Sequence, residues 1–139
     1  MHGMDKKNSF VIWFDDINLT DVPLVGGKNA SLGEMTAHLR AHGIAVPDGF
    51  AITAQAYRAF LKKSNLDQKI KAELESLNTK NIKDLSKRGA KIRKMITSAP
   101  LPDELVETII TAYESLGRLA GKNPSVAVRS SATAEDLPG

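Results

Sequence analysis

The sequence contains no cysteine. That absence excludes a disulfide framework, thiolate catalysis and any zinc site built on sulfur, and it fits a reducing compartment. Aromatic residues are scarce, at 5%. No stretch approaches the ~18 apolar residues of a transmembrane helix, and Met1-His2-Gly3-Met4-Asp5-Lys6-Lys7-Asn8 lacks the apolar core of a signal peptide. The expectation is a soluble, unexported, cytoplasmic chain with no membrane partner. Residues 1–9 are expected to be a disordered or vector-derived tail, with Met4 as an alternative start. The 139 residues, 42% hydrophobic and 25% charged, suit one globular core burying ~70% of the surface the unfolded chain exposes.

The net charge of +3 hides an asymmetry. Between Lys62 and Lys94 eleven basic residues face four acidic ones, whereas the rest of the chain carries eight basic against twelve acidic. One reading makes this basic island a polyphosphate or nucleic-acid surface. Only Tyr57 and Phe60 accompany it, however, and both fit an apolar helix face, so a stacking platform is missing. A solvated helix face is the reading taken, and nucleic acid is not expected as a partner.

Along the chain, Phe10-Val11-Ile12-Trp13-Phe14 reads as a buried strand. A helix is expected to begin at the double glycine Gly26-Gly27, with Leu32, Met35 and Leu39 as its apolar stripe and Gly43 as its left-handed cap. Pro47-Asp48-Gly49 signals a turn, Phe50-Ala51-Ile52 a strand, and Thr53 an N-cap for the helix bearing Tyr57, Phe60 and Leu61. A helical segment over about 65–121 follows. Asn65-Leu66-Asp67-Gln68 resembles a capping box opening its first helix, with Leu66, Ile70, Leu74 and Leu77 on one face. The second helix carries Ile82, Leu85, Gly89, Ile92 and Ile96. The third starts after Pro102, carries Leu105, Ile109, Ala112, Leu116 and Leu119, and ends near Gly121. The period then changes to two, predicting a strand from Ser125 to about Ser130. These are short strands with helices between them, an α+β pattern.

Two segments carry candidate chemistry. In Val25-Gly26-Gly27-Lys28-Asn29-Ala30-Ser31, two glycines before a helix let the backbone approach an anion, and Lys28 adds a mobile cation. The spacing is neither a Walker A loop nor Gly-x-Gly-x-x-Gly, and on the pattern alone a structural turn with a solvated lysine is preferred to an anion site. In Val128-Arg129-Ser130-Ser131-Ala132-Thr133-Ala134-Glu135-Asp136, a planar five-donor cation and two hydroxyls stand where a strand meets a loop, a common phosphate-binding set. The alternative there is a salt bridge from Arg129 to Glu135 or Asp136. His38 and His42 lie four apart on one helix face without a zincin carboxylate between them, and no metal site is expected.

Together these segments, with Ile44 to Thr53, resemble the N-terminal nucleotide-binding part of the family of phosphoenolpyruvate synthases, pyruvate phosphate dikinases and rifampicin phosphotransferases. The likeness runs along nearly the whole chain from Phe10. Within the family, Gly27-Lys28-Asn29-Ala30-Ser31-Leu32-Gly33-Glu34-Met35 is similar to the synthases, and the segment from Arg129 to Asp136 is similar to the synthases and rifampicin enzymes. The resemblance implies that residues 10–139 are the N-terminal portion of an ATP-grasp domain. It implies an enzyme that makes phosphoenolpyruvate from pyruvate, ATP and water through a phosphohistidine, releasing AMP and phosphate.

Lys28 and Arg129 are the implied ATP-phosphate contacts, with Gly26, Gly27 and Ser130 as weaker candidates and Glu135 and Asp136 as loop-shaping residues. The magnesium ligands, the phosphohistidine and the pyruvate site would lie beyond Pro138, in an enzyme expected to be a homo-oligomer. His2, His38 and His42 do not match the phosphohistidine, so these 139 residues alone are expected to be inactive. The competing reading from another class is a stand-alone polyanion- or partner-binding module using the basic helices.

Overall fold

A computed structural model describes residues 5–134, and the chain divides into two compact units. The first comprises residues up to Tyr57 together with those from Asp103 on; the second is Arg58–Pro102.

In the first unit β1 (Val11–Trp13) pairs antiparallel with β2 (Phe50–Ile52), placing Val11 opposite Ile52, Ile12 opposite Ala51 and Trp13 opposite Phe50. The Trp13 and Phe50 rings meet edge to face, their centroids 5.5 Å apart, a favoured quadrupole geometry. Between the strands run two single turns of 3-10 helix, Phe14–Asp16 and Leu19–Asp21, then α1 (Val22–Val25) and α2 (Gly27–Ala41). The predicted strand over 10–14 is therefore shorter, because Phe14 already belongs to a turn. The stretch after Asp21 is helical because Pro23 presets φ for the first turn of α1.

The core of this unit is Ile12, Ile17, Val25, Ala30 and Ala51, with Phe14, Val22 and Leu24 packed around it. The buried face of α2 is Ala30, Gly33 and Thr36, and not the predicted stripe of Leu32, Met35 and Leu39; Met35 is 49% exposed. Close approach explains the difference. A Cβ on Gly33 would stand 2.6 Å from Ile17 Cβ and from the Ile17 carbonyl oxygen, so side-chain size rather than hydrophobicity selects the face that packs. The helix ends as expected at Gly43, whose φ is +74°. Gly43 N–H donates to Arg40 O and Ile44 N–H to Leu39 O, a Schellman closure.

Arg40 then pins the returning loop, donating to Asp48 Oδ1 at 2.6 Å, to Val46 O at 3.1 Å and to Asp15. The hydrogen bond to Asp48, aided by the charge of Asp15, raises the pKa of Arg40. Thr53 caps α3 (Ala54–Lys63) as predicted: its hydroxyl accepts from Ala56 N–H and donates to Ser9 O at 2.6 Å. The segment before Phe10, expected to be tail, is engaged from Asp5 onward, and Lys6 pairs with buried Asp21 at 3.0 Å. Helix α6 (Asp103–Ala120) lies against β1 and buries Leu105, Ala112 and Leu116, whereas Leu119 is exposed.

The second unit contains the end of α3, then α4 (Leu66–Glu75) and α5 (Ile82–Ser98), which pack on each other. The predicted capping box does not form: Asn65 takes a left-handed conformation, φ 52°, and makes no side-chain cap. Asp67 instead accepts from the adjacent Gln68 N–H. Asn81 caps α5 through Lys83 N–H and Asp84 N–H. The hairpin is joined by charge. Arg88 donates to Ser76 Oγ at 2.6 Å, Glu73 O at 3.0 Å, and Glu73 Oε2 and Asp84 Oδ1 at 3.3 Å, and Lys91 also pairs with Glu73. The Lys91 hydrogen bond, with the charges of Lys91 and Arg88, holds the Glu73 carboxyl below its ordinary range.

The strand predicted over Ser125–Ser130 is absent. Residues 124–132 form no regular element, and Val126 and Val128, the proposed inner face, are 50% and 93% exposed. A two-residue period makes a strand only where an edge is available, and among the described residues none pairs with this stretch.

Candidate functional site

The site is built where α1 gives way to α2. Gly26 closes α1 by donating to Val22 O at 2.8 Å, and it holds φ 82° and ψ 164°. That region is open essentially only to glycine. The chain can therefore reverse within one residue and start α2 at once, leaving the first amides of α2 pointing out of the helix end.

Those amides meet the far end of the chain. Gly27 N–H donates to Ala132 O at 3.2 Å, and Asn29 N–H donates to Ser131 Oγ at 3.4 Å. A Cβ at Gly26 would stand 2.2 Å from Ser131 Oγ and 2.9 Å from Ala132 N and O, so the turn at Ser131 rests directly on the glycine backbone. The other end of this strap is held on α6, where Tyr113 Oη donates to Pro124 O at 3.0 Å. A Cβ on Gly117 would come within 3.4 Å of the Pro124 ring.

The two segments singled out in the sequence are thus brought to one place, although about a hundred residues separate them. Lys28 is exposed and sits between the two residues whose amides hold the strap. Arg129 and Ser130 are exposed, and neither has a hydrogen bond or ion pair among the described residues. Gly26 and Gly27 act here as the seat of the strap. Sequence reasoning passed over Ser131, because two adjacent serines carry no signal of which one faces the helix. Glu135 and Asp136 lie outside the described residues.

The chain thus carries an arginine two residues before the contact at Ser131 and a lysine in the first turn of α2, at the helix's positive end. That set suits an extended polyanion such as a nucleotide phosphate chain. No group of three or more His, Cys, Asp or Glu able to hold an ion is found among the described residues. His38 Nε2 stands 3.8 Å from Glu34 Oε1, and His42 Nδ1 lies 2.8 Å from His38 O. In the basic island, Arg88, Lys91 and Lys71 are paired with acids of the hairpin.

Residues 22–139 match the family described as pyruvate phosphate dikinase, AMP/ATP-binding domain. The chain belongs to this family. Among curated relatives, a phosphoenolpyruvate synthase of Aquifex aeolicus is 46% identical over 137 residues, 98% of this chain and 16% of that protein. That of Neisseria meningitidis serogroup B is 48% identical over 132 residues, 94% of this chain and 17% of that protein. The Escherichia coli K12 enzyme of the same name is 45% identical over 132 residues, 95% of this chain and 16% of that protein. The chain spans about one sixth of the length of these relatives. Both Lys28 and Arg129 lie inside the matched AMP/ATP-binding domain, as do the Gly26 reversal and the strap. No helix among the described residues is long and apolar enough to cross a membrane.

Proposed function

We propose that this chain is the N-terminal nucleotide-binding part of a phosphoenolpyruvate synthase, with Lys28 and Arg129 holding the phosphates of ATP. The observation that carries this reading is the seating of the Arg129 strap on the first turn of the Lys28 helix. The Arg129 guanidinium supplies paired donors to phosphate oxygens, and Lys28 supplies a point charge that follows them. Their joint task is to fix the polyphosphate and to offset the charge that moves between its oxygens as a phosphoryl group transfers.

Residues 10–139 would then be the front of an ATP-grasp domain. The complete enzyme would convert pyruvate, ATP and water to phosphoenolpyruvate, AMP and phosphate through a phosphohistidine, as a cytoplasmic homo-oligomer. No group of three or more His, Cys, Asp or Glu able to hold an ion lies among the described residues; Mg2+ ligands would be supplied by other parts of that enzyme, together with the pyruvate site. The 139 residues alone would carry out no turnover.

The test is turnover in an enzyme carrying this segment together with the remaining length of its relatives. Lys28→Ala and Arg129→Ala should each remove ATP-dependent formation of phosphoenolpyruvate. Full activity in either variant would remove that residue from the site.

A further inference from the structure

Among the described residues, the strap between Pro124 and Ala132 is held by hydrogen bonds only near its ends. Tyr113 Oη takes the Pro124 carbonyl, and the α2 terminus takes Ser131 and Ala132. Residues 125–130 between these points have no regular secondary structure. Arg129 precedes Ser131 by two residues, roughly 7 Å of extended chain. The position of its guanidinium therefore depends on the nearer anchor, at Ser131.

That anchor has three parts. Ser131 Oγ accepts from Asn29 N–H, Ala132 O accepts from Gly27 N–H, and Gly26 presents bare backbone where any Cβ would overlap Ser131 Oγ. Gly27 and Asn29 flank Lys28 in the chain. A single latch thus registers the strap against the very turn that carries the second cation. Ser130, although adjacent, is exposed and bonds to nothing among the described residues, so it cannot serve this purpose.

We infer that Ser131 is a positioning residue: through Asn29 N–H and the bare backbone of Gly26, its hydroxyl sets Arg129 at the distance from Lys28 that a nucleotide polyphosphate requires. This rests on the nucleotide reading above and assigns to Ser131 a role distinct from phosphate contact. Its consequence is selective. Loss of the latch should weaken binding in proportion to the phosphates that Arg129 reaches, leaving recognition of the remainder of the nucleotide intact.

The test is a double-mutant cycle on the chain, reading the dissociation constants of ATP and AMP by NMR titration. Arg129→Ala should weaken ATP by about tenfold or more, the loss of a charge-assisted hydrogen bond. Ser131→Ala should weaken ATP by about fivefold, one neutral hydrogen bond, with AMP changed by less than about twofold. In the Arg129→Ala background, Ser131→Ala should add no more than about twofold, since the two act through one group. Gly26→Ala, which displaces the same turn, should reproduce the pattern.

An unchanged ATP affinity in Ser131→Ala, equal losses for ATP and AMP, or losses that multiply in the double variant would each overturn the positioning role. If Arg129→Ala itself leaves ATP binding unchanged, the nucleotide reading fails and the latch's role fails with it. If Arg129→Ala weakens ATP and Ser131→Ala does not, the nucleotide reading stands and only the latch is lost.

Discussion

Replacing Gly26 by alanine probes the contact on which the site depends. Two costs are legible in the structure. The first is conformational, because φ 82° with ψ 164° is a region that a residue with a side chain occupies at a cost of about 1–3 kcal/mol. The second is steric. The new methyl would stand 2.2 Å from Ser131 Oγ, which can rotate away, and 2.9 Å from the backbone N and O of Ala132, which cannot. Overpacking of this kind costs about 1–3 kcal/mol. The internal control is Gly43→Ala, at φ +74° with nothing within 4 Å of the added methyl, where only a backbone term of about 1–2 kcal/mol remains. Urea unfolding followed by circular dichroism measures both, provided the m-value is unchanged. Gly26→Ala should fall below Gly43→Ala by about 1–3 kcal/mol, the steric term alone. In hydrogen exchange, its Gly27 amide should also lose protection as the bond to Ala132 O breaks. Equal costs for the two variants, with the Gly27 amide still protected, would refute the seating of the strap on Gly26.

The acid side of stability should report on the hairpin. The folded-state pKa of Glu73 is lowered, chiefly by its hydrogen bond to Lys91; its contribution is therefore complete above the ordinary value of 4.5 and is lost as pH falls through the lower folded value. The melting temperature of Glu73→Gln should lie below that of the parent at neutral pH, with the difference closing in acid; a difference independent of pH would contradict the pairing. Thr53→Val removes a hydroxyl that caps α3 and donates to Ser9 O, and should cost about 1–2 kcal/mol in denaturant unfolding, where a change within error would exclude the cap. Arg40→Lys keeps the charge but loses the fork that joins Asp15, Val46 and Asp48, so the Phe14 amide, bonded to Gly49 O at 3.0 Å, should exchange faster while the Ala56 amide does not.

Local chemistry explains what was legible in the sequence. The Gly43 cap, the bond Thr53 accepts from Ala56 and the start and end of α6 rest on contacts within a few residues, and the residues that make them are visible in order, whereas β2 was legible from its β-forming residues and is completed by pairing with β1. The buried face of α2 was misread because a helix packed against a backbone buries small residues, and Ala30, Gly33 and Thr36 look unremarkable beside Leu32 and Met35. The strand over 125–130 failed for a different reason: alternation describes a side-chain pattern, whereas a strand also needs a neighbouring edge. At the site, the glycines, Lys28 and Arg129 stand out by type. The contact between the two segments does not, since it depends on bonds between Asn29 and Ser131 and between Gly27 and Ala132 that no local pattern encodes. For the same reason Ser131 could not be told from Ser130.

The central claim is that Lys28 and Arg129 form one phosphate-binding site. Titration of the isotopically labelled chain with ATP tests it most directly, by following the backbone amides of α2's first turn and of residues 128–132. The account predicts that both segments shift together with a single dissociation constant, that AMP binds more weakly, and that Lys28→Ala and Arg129→Ala each weaken ATP by about tenfold, as expected for loss of a charge-assisted contact. Shifts confined to the basic residues between Lys62 and Lys94, or an affinity indifferent to both substitutions, would contradict it.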